Sequence, residues 1–163
     1  MTISNDVFEN LKKHLSMLKP MLTGMWIKDN SNYEAALASL LQMSQEPARY
    51  WDAKWNDQYI EYKKGKSVWL DVVRYAEIQS KHNSESSNKT ITLFFVPNKT
   101  RDLIDEIICV DTDVLISHLE LCDEHVKFLL DFYDRQRKAK RSINAQVSLS
   151  LVKARSIANF IIE

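Results

Sequence analysis

Asp52, Glu61 and Lys63 are the residues of this chain whose types and spacing best suit chemistry. They flank Asn56-Asp57, where a two-residue turn would pair Trp55 with Gln58, Lys54 with Tyr59, Ala53 with Ile60 and Asp52 with Glu61. Asn-Asp suits such a turn less well than Asn-Gly or Asp-Gly, because both central residues must reach positive φ. In this register the side chains of Asp52 and Glu61 stand opposite each other, roughly 4.5–5.5 Å apart at Cβ. Like charges so placed repel, and a cation between them makes the arrangement tolerable. Lys63 lies two residues beyond Glu61 and therefore on the same face. Two carboxylates and a lysine on one edge of a hairpin look like a divalent-metal hydrolytic site.

The elements that must position these residues can be read from hydrophobic spacing. A first helix, capped by Asn5 or Asp6, is predicted to about Thr23, with Val7, Phe8, Leu11, Leu15, Leu18 and Leu22 on its apolar face. Pro20 should kink it and Gly24 end it. A second helix starts at Ser31 or Asn32 and ends before Pro47, with Tyr33, Ala36, Leu37, Leu40, Leu41 and Met43 inward. The hairpin strands span about 49–55 and 58–64. Trp51, Ala53, Trp55, Ile60 and Tyr62 make an apolar face, and Tyr50, Asp52, Lys54, Tyr59, Glu61 and Lys63 a working face. Lys64-Gly65-Lys66 breaks the strand, and Ser67 is expected to cap a helix to about Lys81. After a polar loop at 82–89, the β-branched and aromatic run at 90–96 reads as a central strand buried on both faces. A short strand to Val110 leads into a helix starting at Asp111-Thr112, and helices over about 124–139 and 143–162 complete the chain. The order implies an α/β fold, a small mixed sheet flanked by helices, with a helical C-terminal part.

The bulk composition bounds the function classes. At 163 residues the chain is expected to form one domain, and 45% hydrophobic with 27% charged residues argues against disorder. No apolar run approaches the ~20 residues of a membrane span. The first residues lack a basic-then-apolar layout, so a cytoplasmic location is expected. Cys109 and Cys122 form no zinc or redox motif and read as reduced thiols. His14, His82, His118 and His125 lack zinc-ligand spacing, and the four tryptophans read as core. No phosphate-cradling glycine loop is present. With 22 basic and 22 acidic residues the net charge is zero, which counts against a general nucleic-acid binder. A nuclease is still compatible, since it clusters acids around its metal and keeps bases elsewhere.

On Asp52 with Glu61-Tyr62-Lys63, a preceding helix carrying Glu34, a following helix and the strand at 92–96, the chain resembles the PD-(D/E)XK nuclease superfamily. Within it, compact type II restriction endonucleases are the most similar members. The likeness covers roughly residues 31–118. The segment from the strand at 91–96 to the helix at Thr112 is similar to the part of such enzymes that lies after their active-site hairpin. Glu-x-Lys alone is a weak pattern; hairpin register and element order carry the resemblance. Trp51 stands where many members have proline, and Asp57, in the turn, is a poorer first carboxylate than Asp52. The resemblance implies Mg²⁺ held by Asp52, Glu61 and the Tyr62 backbone carbonyl, with Glu34 as a further ligand, direct or through water. Lys63 would orient or deprotonate the attacking water and steady the phosphate. The implied enzyme is a restriction-type endonuclease cutting double-stranded DNA as a homodimer, or a junction-resolving nuclease on the same fold. Nothing in the chain points to a methyltransferase partner.

Lys64, Lys66 and Arg74 could meet phosphates near the site. Arg135, Arg137, Lys138, Lys140 and Arg141 form the densest basic patch. The helix expected over 143–162 carries Asn144, Gln146, Ser148, Ser150, Lys153 and Arg155 and could read a groove, or could simply pack through Val147, Leu151, Ala154, Ile157 and Ile161. Residues 1–30 are a possible dimerisation segment and 119–163 a possible DNA contact. The competing expectation is a non-catalytic protein-binding module, such as an immunity, inhibitor or regulatory protein. In it the hairpin carries ordinary cross-strand salt bridges, and Glu34 merely suits a helix N-terminus.

Overall fold

The computed structural model of the chain describes residues 3–23, 33–46, 51–66, 68–84, 90–119, 123–141 and 145–163. Its centre is β5 (Thr90–Pro97), in which all eight residues are buried. A run of β-branched and aromatic side chains suits a strand covered on both faces. β5 pairs in parallel with β3 (Gln58–Lys64) and antiparallel with β6 (Ile104–Asp111). Outward from β3 lie β2 (Ala53–Trp55) and β1 (Ser44–Gln45), and outward from β6 lies β8 (Phe160–Ile162). The result is a six-stranded, mostly antiparallel sheet in the order β1-β2-β3-β5-β6-β8. A separate ribbon pairs β4 (Val68–Asp71) with β7 (Gln146–Leu149).

The helices are α1 (Asn5–Leu18), α2 (Tyr33–Leu40), α3 (Val72–Ser84), α4 (Thr112–His118), α5 (Asp123–Lys138) and α6 (Leu151–Ser156). Side-chain alternation along the strands feeds two cores. Ile60, Tyr62, Leu93, Phe95 and Ile107 pack with Phe8, Leu11 and Leu15 of α1 and Leu37 of α2. Phe94, Val96, Ile108 and Val110 pack with Tyr75 and Ile78 of α3 and Leu115 of α4. Helices therefore cover both sheet faces. β3 and β5 are parallel, so their connection must cross a face of the sheet, and α3 makes that crossing. It lies on the side toward which Glu61 and Lys63 point.

The hairpin has the expected register, Trp55↔Gln58, Lys54↔Tyr59 and Ala53↔Ile60. Its turn differs: Asn56 has φ 52° while Asp57 does not take a positive φ, so one positive-φ residue suffices. Trp51 also departs from the alternation. It stacks on Tyr59 at 3.8 Å between ring centroids, on the face opposite Ile60 and Tyr62, because the chain bends at Asp52. Tyr50 lies outside the described residues.

Three helix expectations are corrected. The second helix ends at Leu40, where Gln42 takes φ 55° and Met43 N–H bonds the Ala38 carbonyl at 2.8 Å, and the chain then enters β1. This is the left-handed helix ending that glycine usually supplies. The segment after Lys66 is β4, with Val68 and Leu70 inward and Trp69 57% exposed, so that tryptophan is not core. Helix α3 starts only at Val72, capped by Asp71, whose Oδ1 accepts from Val73 N at 3.0 Å and Arg74 N at 3.3 Å. Finally, no helix spans 143–162. Residues 146–149 form β7, Ser150 caps the short α6 by accepting from Lys153 N at 3.1 Å, and Phe160–Ile162 fills the free edge of β6. Ser150 stops the helical spacing from running through, and the apolar end gains a strand partner.

The other elements lie where hydrophobic spacing puts them. Helix α1 gives way at Leu18 to a 3₁₀ turn, Lys19–Met21, that contains Pro20. Asp111 caps α4 through Asp113 N at 3.0 Å. Cys109 is a buried free thiol, and Cys122 and Gly24 lie outside the described residues. Among the described residues no helix is long and apolar enough to cross a membrane.

The two-core arrangement gives a direct stability test. Phe95→Ala should lower the unfolding free energy by about 3–5 kcal/mol in urea titrations. Phe128→Ala, at a position 62% exposed, should change it by no more than about 0.5 kcal/mol. Equal losses would contradict the placement of β5 at the centre.

Candidate active site

Asp52 sits at the bend before β2, where the chain leaves the ladder. Its backbone N–H donates to the Ile60 carbonyl at 3.0 Å, and its carbonyl accepts from Glu46 N at 3.0 Å. Its side chain replaces the next ladder bond: Oδ2 accepts from Tyr62 N at 2.7 Å. Asp52 thus brackets Glu61, with its backbone on residue 60 and its carboxylate on residue 62. The residue is 6% exposed.

Glu61 is 0% exposed. Ile60 and Tyr62 turn into the α1 and α2 core, so alternation turns Glu61 beneath α3. There its Oε1 lies 3.2 Å from Arg74 Nη1 and 3.4 Å from Lys63 Nζ. The other oxygen, Oε2, is buried with no hydrogen-bond partner. Lys63 Nζ also stands 5.8 Å from the centre of the Tyr75 ring, next to Arg74 on α3. Trp51 closes the neighbouring end of the hairpin, its indole N–H donating to Thr90 Oγ1 at 2.7 Å.

Burial pushes the Asp52 carboxyl up to about 8, with the Glu61 charge adding to the rise and the Tyr62 N–H opposing it. Burial likewise raises Glu61, against the lowering effect of Lys63 and Arg74. Burial therefore works against ionising either carboxyl, while Lys63 and Arg74 favour the ionised form of Glu61. The structure brings together two buried carboxylates, one of them with a bare oxygen, and this donor set suits a hard divalent cation.

Other expected site residues take more varied places. Tyr62 buries its ring against Phe95, and its hydroxyl donates to Met43 Sδ at 3.1 Å, which leaves only its backbone to serve the site. Glu34, partly buried on α2, acts through its charge on Asp52, raising that carboxyl further. It does not complete a metal cage: among the described residues, no three His, Cys, Asp and Glu side chains gather closely enough to hold an ion. Lys64 points to the opposite face of β3 from Lys63, its Nζ 4.5 Å from the Tyr33 ring centre. Lys66 is exposed just past Gly65, whose φ of 134° ends the strand.

Arg135, Arg137, Lys138, Lys140 and Arg141 are all exposed around the end of α5. Arg137 and Lys138 pair with Asp134 at 3.2 and 3.1 Å. Lys140 takes φ 56°, and Arg141 N–H bonds the Gln136 carbonyl at 2.9 Å, turning the chain away. Arg155 is occupied elsewhere, in a bidentate pair with Glu106.

Pairing of Arg74 with Glu61 is the feature that sequence spacing does not reach. A helix begun at Ser67 would turn residue 74 to a different side than one begun at Val72. Only the β4 insertion aims it at β3. Compared with known proteins, the chain matches no family model, no curated protein and no solved structure.

An acid whose folded pKa exceeds its unfolded value stabilises the fold at low pH, and that contribution is lost as pH rises through the folded value. With Asp52 raised from 3.8 to about 8, the metal-free protein in EDTA should melt at progressively lower temperature as pH rises from about 4 to about 8, and level off above that. Asp52→Asn should flatten that slope, leaving the part due to Glu61. Parallel slopes for the two proteins would contradict the buried, proton-retaining carboxyl.

Proposed function

We propose that the protein is a Mg²⁺-dependent endodeoxyribonuclease of the PD-(D/E)XK type that hydrolyses phosphodiester bonds of duplex DNA. The observation that carries this is the buried Asp52–Glu61 pair with Lys63 beside it and one Glu61 oxygen left bare. The order α2, hairpin, α3, β5 supports this reading, with β4 inserted between the hairpin and α3.

Asp52, Glu61 through Oε2 and the Tyr62 backbone carbonyl would hold the Mg²⁺, with Glu34 contributing through water. When bound, Mg²⁺ supplies positive charge against the anionic transition state and acidifies water. The residues of the chain do the rest. Lys63, held 3.4 Å from Glu61, presents its ammonium to the phosphate and to the attacking water. Tyr62 N–H fixes the Asp52 carboxylate, so the ligand needs no reorganisation before chemistry. Trp51 stacked on Tyr59 shields the pair from bulk water, which strengthens charge interactions within.

Lys66 and the basic end of α5 are the proposed backbone contacts, with Lys64 at the strand end. Duplex cleavage needs two such sites, so a two-fold homodimer is part of the proposal. A restriction role is favoured over junction resolution only by the resemblance to compact restriction enzymes.

One observation favours a different class. Both Lys63 and Arg74 neutralise Glu61, as a self-contained structural ion cluster would require. In that case the chain is a protein-binding module without cleavage activity.

Plasmid incubated with the protein decides between them. The proposal expects nicking or linearisation with Mg²⁺ and none with EDTA. Lys63→Ala should lower the rate by about 100-fold or more, at the scale of a lost proton-handling group. Cleavage by the variant at the native rate, or no Mg²⁺-dependent cleavage by the native protein, contradicts it.

A further inference from the structure

We infer that Arg74 takes the place of a second metal ion, so that the site binds a single divalent cation; this rests on the metal reading proposed above. Two-metal hydrolases set their ions about 3.5–4 Å apart. A second ion on the Arg74 side of Glu61 would need Glu61 Oε1 as its ligand. That oxygen already faces Arg74 Nη1 at 3.2 Å and Lys63 Nζ at 3.4 Å. Only Oε2, enclosed and without a partner, remains to accept a cation. One carboxylate is divided between a fixed cation pair and a single open coordination direction.

Charge balance leads to the same number. Asp52 and Glu61 are cancelled by Lys63 and Arg74. One divalent ion then leaves two positive charges, which match a phosphodiester and a hydroxide-like nucleophile. A second ion would add two more beside a carboxylate with no exposure, where water screens little. Glu34, whose charge reaches Asp52, does not stand close enough to the pair to hold a second ion directly.

Arg74 is well placed for a fixed role. Asp71 caps the helix on the Arg74 backbone N–H, and the guanidinium side chain is 35% exposed while its partner is wholly buried. The guanidinium therefore reaches inward from the rim, and cannot dissociate as an ion can. Its fork also leaves further N–H donors for a phosphate oxygen once Oε1 is satisfied.

Mn²⁺ binding to the full chain without DNA, counted by electron paramagnetic resonance of the free ion, tests the inference. The native protein should bind one Mn²⁺ per chain. Arg74→Gln, which removes the charge, should bind a second ion or hold the first about tenfold more tightly. Arg74→Lys, which keeps the charge, should match the native protein in number and affinity, with circular dichroism melts confirming that each variant is folded. Two ions on the native chain, or Arg74→Gln indistinguishable from native, overturns the role of Arg74 and leaves the metal site standing. No ion on any of the three overturns both. If Arg74→Gln does not fold, the native count still decides: one ion supports the inference and two overturn it.

Discussion

A fully buried glutamate in the middle of a strand is the constraint on which the rest of this structure depends. An unpaired buried carboxylate costs several kcal/mol, so Glu61 must find cations or keep a proton. The strand leaves it no choice of side, since Ile60 and Tyr62 commit the alternate face to the α1 and α2 core. Compensation therefore has to come from the strand itself, two residues on at Lys63, and from the helix that crosses above, at Arg74. The parallel pairing of β3 with β5 is what brings that helix there.

Asp52 sharpens the same problem. It adds a second carboxyl next to the first, and the fold spends a backbone N–H of Tyr62 to hold it in place. A structure selected only for stability would do better with apolar residues at these positions, since replacing buried ion pairs by well-packed hydrophobics is often neutral or stabilising. Two raised carboxyls and a bare oxygen are strain of the kind that active sites carry. This is the physical ground for taking the cluster as a working site.

Much of this was legible in the sequence where a single physical rule dominates. The hairpin register comes from a two-residue turn between alternating strands, and β5 from an unbroken β-branched and aromatic run. Helix α5 comes from its spacing. Legibility fails where a local interaction competes with spacing. Asp52 bends the chain to reach two backbone groups of β3, which carries Trp51 onto the unexpected face. The segments at 68–71 and 146–149 each contain helix-compatible residues, but they gain more by pairing with each other across the chain. Ser150 and Asp71, as caps, then set helix starts that hydrophobic spacing alone places several residues too early. The Arg74–Glu61 contact depends on one of those starts, so it is invisible until the ribbon is known. The basic residues after Arg135 were visible as a patch, whereas their partial neutralisation by Asp134 was not.

The central claim is that Glu61 and Asp52 together form a cation site and not merely a buried charge cluster. Crystals of the protein grown with Mn²⁺ at pH about 8, where Asp52 is about half ionised, would test it most directly through anomalous scattering. The account predicts an anomalous peak at coordination distance from Glu61 Oε2 and an Asp52 oxygen, with Arg74 still on Glu61 Oε1. A site empty of scattering at saturating Mn²⁺, with Glu61 Oε2 turned to a protein donor or proton, would contradict it.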